Sequence, residues 1–186
     1  MKKYLKMLPV LLYPYIYLII AILLPMLEDA VPESIASKIT LYNPVHVLVL
    51  VVIVHLIVIL SHISFISNAV KGKYSSKDLS KMTMICKLVH IPAFILHFLL
   101  GALGVFASVW GIAFIVWAIV IDLLTIIQTG IMSITTSVKC TKDKVFSSAY
   151  GVIFSILGFI YCIDVGASIY VFIKARIANK NGVPSA

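Results

Sequence analysis

The sequence predicts an all-α integral membrane protein, a single membrane domain over residues 1–186 folded as a bundle of about five transmembrane helices. Three observations lead there. Hydrophobic residues make up 62% of the chain and charged residues only 12%, where a soluble domain has roughly 45–50% apolar and about 25% charged residues. Mean hydropathy is +1.12. The apolar residues fall in long runs, each near the ~20 residues that carry a helix across a bilayer, with the cationic residues in short segments between them.

In chain order, the expected spans are residues 8–27, 44–70, 82–106, 109–136 and 146–173. Lys2, Lys3 and Lys6 precede the first. Its apolar run is longer than the ~7–15 residues of a cleaved signal peptide, which favours an uncleaved span. Pro9, Pro14 and Pro25 kink or fray it, and if it does not cross, four spans remain. A polar loop with Glu28, Asp29 and Glu33 follows, and Asn43-Pro44 opens the second span. The next segment carries Lys71, Lys73, Lys77 and Lys81 against Asp78, with Lys87 soon after. The third span contains Pro92, and Gly101, Gly104 and Gly111 mark a tight turn into the fourth. Lys139, Lys142 and Lys144 make the following loop basic, and the fifth span leads to a short polar tail.

Counting charge with the N-terminus inside gives eleven Lys residues on inner segments and four Lys or Arg on outer ones. The positive-inside rule then predicts a multi-pass protein of the cell (plasma) membrane, N-terminus cytoplasmic and C-terminus outside. Lys174, Arg176 and Lys180 in the tail oppose that assignment, and a fifth segment that re-enters is the alternative. Tyr42 and Trp110 are expected as outer interface anchors, Tyr74 and Tyr150 as inner ones.

The net charge of +8 does not indicate nucleic acid, because the basic residues flank apolar runs and no soluble module interleaves them with stacking aromatics. Cys86, Cys140 and Cys162 form no C-x-x-C pair and no disulfide framework. Catalytic signatures such as H-E-x-x-H, G-x-S-x-G or a phosphate-cradling glycine loop are absent. Cys86 and His90 lie four apart on one helical face, a spacing that chance produces easily. An enzyme is therefore not the expected function.

Ionisable residues inside apolar spans are costly and mark sites by default. Here they are His55, His62, His90, His97, Asp122 and Asp164. His55 and His62 are seven apart, which puts them on one face about 10.5 Å apart along the axis. His90 and His97 repeat this spacing, and the two outer and two inner histidines are both centred on position 76. If those faces meet, His62 lies beside His90 and His55 beside His97. The same depth argument brings Asp122 between His90 and His97, with Asp164 within about one turn of it.

Such a layer suits a transition metal or a proton site, since imidazole and carboxylate ligate zinc, iron or manganese and titrate near neutrality. A single haem between two histidines is a further possibility, and no cofactor at all an equal one. The competing reading is that these groups only hydrogen-bond between helices. Thr125, Thr129, Ser133 and Thr136 follow Asp122 at helical spacing, and Ser61, Ser64 and Asn68 form a similar stripe on the second span. Together they could line a vestibule facing the cytoplasm; Ser and Thr also bond back to their own helix. Gly151, Ser155, Gly158, Cys162 and Gly166 form a small-residue face fit for close helix packing, within the bundle or in a homo-oligomer.

The resulting expectation is a small transporter or membrane-embedded binding subunit with a His/Asp ion, metal or proton site. Its alternatives are a non-catalytic assembly or regulatory subunit docking another membrane protein, and a one-haem cytochrome or membrane enzyme. The partners expected are membrane lipids and a membrane protein or second copy, without nucleic acid.

Overall fold

The computed structural model describes residues 5–16, 18, 44–106 and 108–181, and among these residues six helices form. They are α1 (8–16), α2 (Pro44–Val70), α3 (Ser76–Gly104), α4 (Ser108–Lys142), α5 (Ser148–Leu157) and α6 (Ile163–Lys180). Pro44 starts α2 where a helix has no use for an N–H. At the start of α3, the Ser75 hydroxyl accepts the Asp78 N–H at 3.1 Å, and Asp78 lies in the first turn, where the helix dipole favours a carboxylate.

Among the described residues, three helices are long and apolar enough to cross a membrane: Leu48–Val70 within α2, all of α3, and Ile115–Lys142 within α4. The chain is a multi-pass helical membrane protein. α2 matches the expected second span, whereas α3 begins six residues earlier than expected and α4 runs six residues further. Both extensions carry the helices into the basic segments, because Lys and Arg stems keep their charges in water from a helix end. The expected first span and its acidic loop run largely outside the described residues, as do Tyr42 and the side chain of Trp110.

The α3–α4 hairpin is the centre of the bundle. Ser76 with Asp143, Thr83 with Thr136 and His97 with Asp122 all touch, and all three contacts share one midpoint between residues 109 and 110. The turn is tight because Gly104 and Gly111 meet backbone to backbone: a Cβ on Gly111 would lie 1.6 Å from the Gly104 carbonyl oxygen. α1 inserts between α2 and α3. Met7, Val10 and Tyr13, buried at three-residue spacing, face Val58, Phe65 and Met82. Tyr74 is part of this core, packed on Phe65 at 6.5 Å, and so is not the interface anchor expected. Tyr150 is exposed and stacks on Phe154.

The expected fifth span is not one helix. α5 ends after ten residues, about 15 Å of rise, which is half a bilayer core. Cys162 then takes φ 67°, and the Ile163 N–H bonds the Tyr161 carbonyl at 2.9 Å, closing a three-residue turn. α5 descends along α4, with Gly151 against Thr141 and Gly158 against Ser133. α6 returns along α3: Asp164 meets Lys87, and Ala175, Ala178 and Asn179 end beside Ser75, Ser76 and Asp143. The segment enters and leaves at the same end of the bundle, which is where the loops after α2 and α4 also lie. The small-residue face is accordingly split, with Gly158 and Cys162 in the break and an open space at Gly166.

Candidate functional site

The break between α5 and α6 creates two unsatisfied helix ends deep in the protein, and one cation and one anion fill them. Lys87 sits eleven residues into α3, about 16 Å from its start and close to mid-span. Its Nζ donates to Asp164 Oδ2 at 2.6 Å, to the Gly158 carbonyl at 3.0 Å and to Thr129 Oγ1 at 3.4 Å. An ammonium has three protons, and each finds an acceptor. The Gly158 carbonyl is free because α5 stops there, and Asp164 lies in the first turn of α6. The cation thus faces a helix C-terminus and the anion a helix N-terminus, the arrangement both dipoles favour. The side chains of Lys87 and Asp164 are only 1% and 8% exposed.

One helical turn from this pair, towards the basic end, lies a narrow cleft between α3, α4, α5 and α6 with room for about one water molecule. Ser80, Thr83, Ser133, Thr136 and Ser168 line it. Thr83 and Thr136 hydroxyls bond across it at 2.8 Å. Beyond it the Ser76 hydroxyl donates to Asp143, whose other oxygen is 3.0 Å from Lys139 Nζ. Polar groups therefore form a column from the end of the bundle to mid-span. Thr129 and Ser133 from the expected vestibule belong to it. The hydroxyls of Thr125, Thr129 and Ser133 all donate back to carbonyls of their own helix, those of Ile121, Thr125 and Thr129, at 2.7, 3.1 and 3.1 Å. On α2, Asn68 donates to the Ser64 carbonyl at 2.7 Å and Ser61 to the Lys6 carbonyl at 2.5 Å. The second wall of the cleft is α3 and α6, not α2.

The six ionisable residues of the expected layer are divided among separate contacts. His97 Nδ1 lies 2.6 Å from Asp122 Oδ1, with the imidazole edge-on to Trp117, and Nε2 has no partner among the described residues. His55 donates from Nδ1 to the Val51 carbonyl at 2.8 Å and accepts the Tyr13 hydroxyl at Nε2, 2.9 Å away. His62 lies between the Val58 and Gln128 carbonyls, and His90 donates to the Val10 carbonyl at 3.1 Å. His62 and His90 do not pair, nor do His55 and His97, because α1 occupies the space between their helices. Asp164 is bound to Lys87 instead of a histidine. Among the described residues no three His, Cys, Asp or Glu side chains are grouped to hold a metal.

Lys87 escaped the sequence reading because it was counted with the flanking charges. Its signal was present: it is bracketed by Met84-Ile85-Cys86 and Leu88-Val89, well inside an apolar run. The break after Leu157 left only a faint one, Gly158 followed within two turns by Asp164.

Residues 3–177 match the model of a protein family described as Family of unknown function (DUF6652). No curated protein and no solved structure matches the chain.

Proposed function

The chain belongs to that family, whose model takes in nearly its whole length, and we propose that it is a small transporter or membrane-embedded binding subunit handling protons or small ions through Lys87 and Asp164. One observation carries this reading: a buried ion pair at mid-span, with a small hydroxyl-lined cleft one helical turn away towards the basic end. Apolar residues of similar volume usually pack as stably as a buried pair, or more so, and in a bilayer charged groups are costlier still. A pair retained for packing alone has no advantage there. Hydroxyl groups both donate and accept, so those lining the cleft can take part in relaying a proton. A proton passing from Lys87 Nζ to Asp164 Oδ2 leaves both groups neutral. A proton arriving through the cleft at Asp164 removes the carboxylate charge and releases Lys87 from its closest acceptor, loosening the junction of α5 and α6.

In this reading the cleft opens to the cytoplasm across the cell membrane. Ten of the 15 Lys and Arg residues support it: four between Lys71 and Lys81, three between Lys139 and Lys144, and three between Lys174 and Lys180. All belong to segments at one end of the bundle, and positive charge collects on the cytoplasmic side.

The test is flux. Protein reconstituted in liposomes under an imposed pH gradient and membrane potential is followed with an enclosed pH-sensitive dye, then with dyes for small cations and anions. Wild type is expected to conduct or exchange, and Asp164→Asn and Lys87→Gln to abolish it in protein that still reconstitutes. A silent wild type, with both substitutions lowering stability alone, would make the pair structural and the chain an assembly or regulatory subunit.

A further inference from the structure

A second surface at the basic end is independent of the buried pair. The C-terminal halves of α2 and α4 diverge and leave a groove open to the side. Ile66 and Val70 on α2 and Ile134 and Val138 on α4 form its walls, and Lys71, Lys139 and Lys142 close its end. Ile66 is five residues from Lys71, and Ile134 five from Lys139 and eight from Lys142, so the walls extend about 7–12 Å below the lysines. The apolar part lies where acyl chains lie and the cationic part where headgroups lie.

We infer that this groove binds one anionic phospholipid, with its acyl chain between α2 and α4 and its phosphate held by Lys71 and Lys142. The three lysines are not equivalent. Lys139 is 3.0 Å from Asp143 and its charge is already matched. Lys71 and Lys142 are exposed, and no carboxylate pairs with either among the described residues. Two helix C-termini meet at this place, and their partial negative charge would by itself repel an anion. Selectivity for net negative charge therefore rests on those two lysines. Val70 is 81% exposed and Val138 48%, large apolar surfaces that an acyl chain covers. Basic pockets between transmembrane helices recognise anionic headgroups by this combination of charge and hydrocarbon.

The experiment adds phosphatidylglycerol or phosphatidylcholine to the purified full chain in detergent and reads retained lipid by native mass spectrometry. Wild type should retain phosphatidylglycerol in preference to phosphatidylcholine. Lys71→Gln with Lys142→Gln should lower phosphatidylglycerol retention roughly tenfold and leave phosphatidylcholine unchanged. Val138→Trp, on the exposed wall, should displace both lipids by filling the groove. Lys73→Gln with Lys144→Gln removes the same charge outside the groove and should change nothing. Equal retention of the two lipids by wild type overturns the proposal. So does an equal loss in the Lys73 and Lys144 control, which would mean diffuse attraction to the basic end, or unaltered binding in Val138→Trp.

Discussion

Lys87 is satisfied by three acceptors from three different helical segments: Thr129 on α4, Gly158 at the end of α5 and Asp164 at the start of α6. Removing either charge strands the other in a medium that cannot solvate it. Lys87→Met or Asp164→Leu alone should cost about 3–5 kcal/mol of stability. The double substitution Lys87→Met with Asp164→Leu should cost much less than the sum, because no charge is left uncompensated. Unfolding in detergent by SDS titration measures all three, and simple additivity would mean the two groups are not in contact. His97 and Asp122 form another close pair, half a span away, and His55, His62 and His90 are held by backbone carbonyls and the Tyr13 hydroxyl.

At the scale of elements, the α5–α6 hairpin depends on glycine where it touches α4. A Cβ on Gly158 would lie 2.4 Å from the Ser133 Cβ, and one on Gly151 would lie 2.4 Å from the Thr141 hydroxyl oxygen. Gly130 of α4 makes room for the Phe159 ring in the same way, with a Cβ position 2.4 Å from it. Gly166 has nothing within 4 Å of its Cβ position. Gly158→Ala should therefore destabilise the protein by about 1–3 kcal/mol by forcing α5 from α4. Gly166→Ala should be neutral or gain up to about 1 kcal/mol, since alanine is the better helix former. Melting curves of the two variants side by side decide the matter, and equal losses would mean that α5 and α6 form one continuous helix.

Among the described residues the basic segments after α2 and α4 lie at one end of the bundle, and the C-terminal end of α6 is part of it. A continuous fifth span would put Lys174, Arg176 and Lys180 on the opposite side from the other loops. In a background with Cys162 replaced by Ser, Lys73→Cys, Lys144→Cys and Asn181→Cys should share one labelling pattern: unreactive to an impermeant maleimide in intact cells and reactive after permeabilisation. Labelling of Asn181→Cys alone from outside would restore the five-span topology.

That the chain is a multi-pass helical membrane protein was legible in its sequence, because hydropathy is a local quantity. Runs of apolar residues require a helix in lipid wherever they occur, since only a helix satisfies its own backbone there. The second span and the glycine turn between the third and fourth were readable for that reason. Which residues of α4 share one face was readable too, because helical spacing alone sets which of them align. What faces it was not. The matched depths of the histidines held only if α2 and α3 packed directly, and the insertion of α1 removed that premise. The same depth reasoning did bring Asp122 near His97, because α3 and α4 are joined by a turn too short to admit another element. Lys87 lies on the line between the two cases. Its place along the chain was plain, but whether a lysine eleven residues into a helix reaches back to water or stays inside depends on an acceptor. Only the tertiary structure supplied one, by breaking the last segment at Gly158 and bringing a free carbonyl and the Asp164 carboxylate to its ammonium.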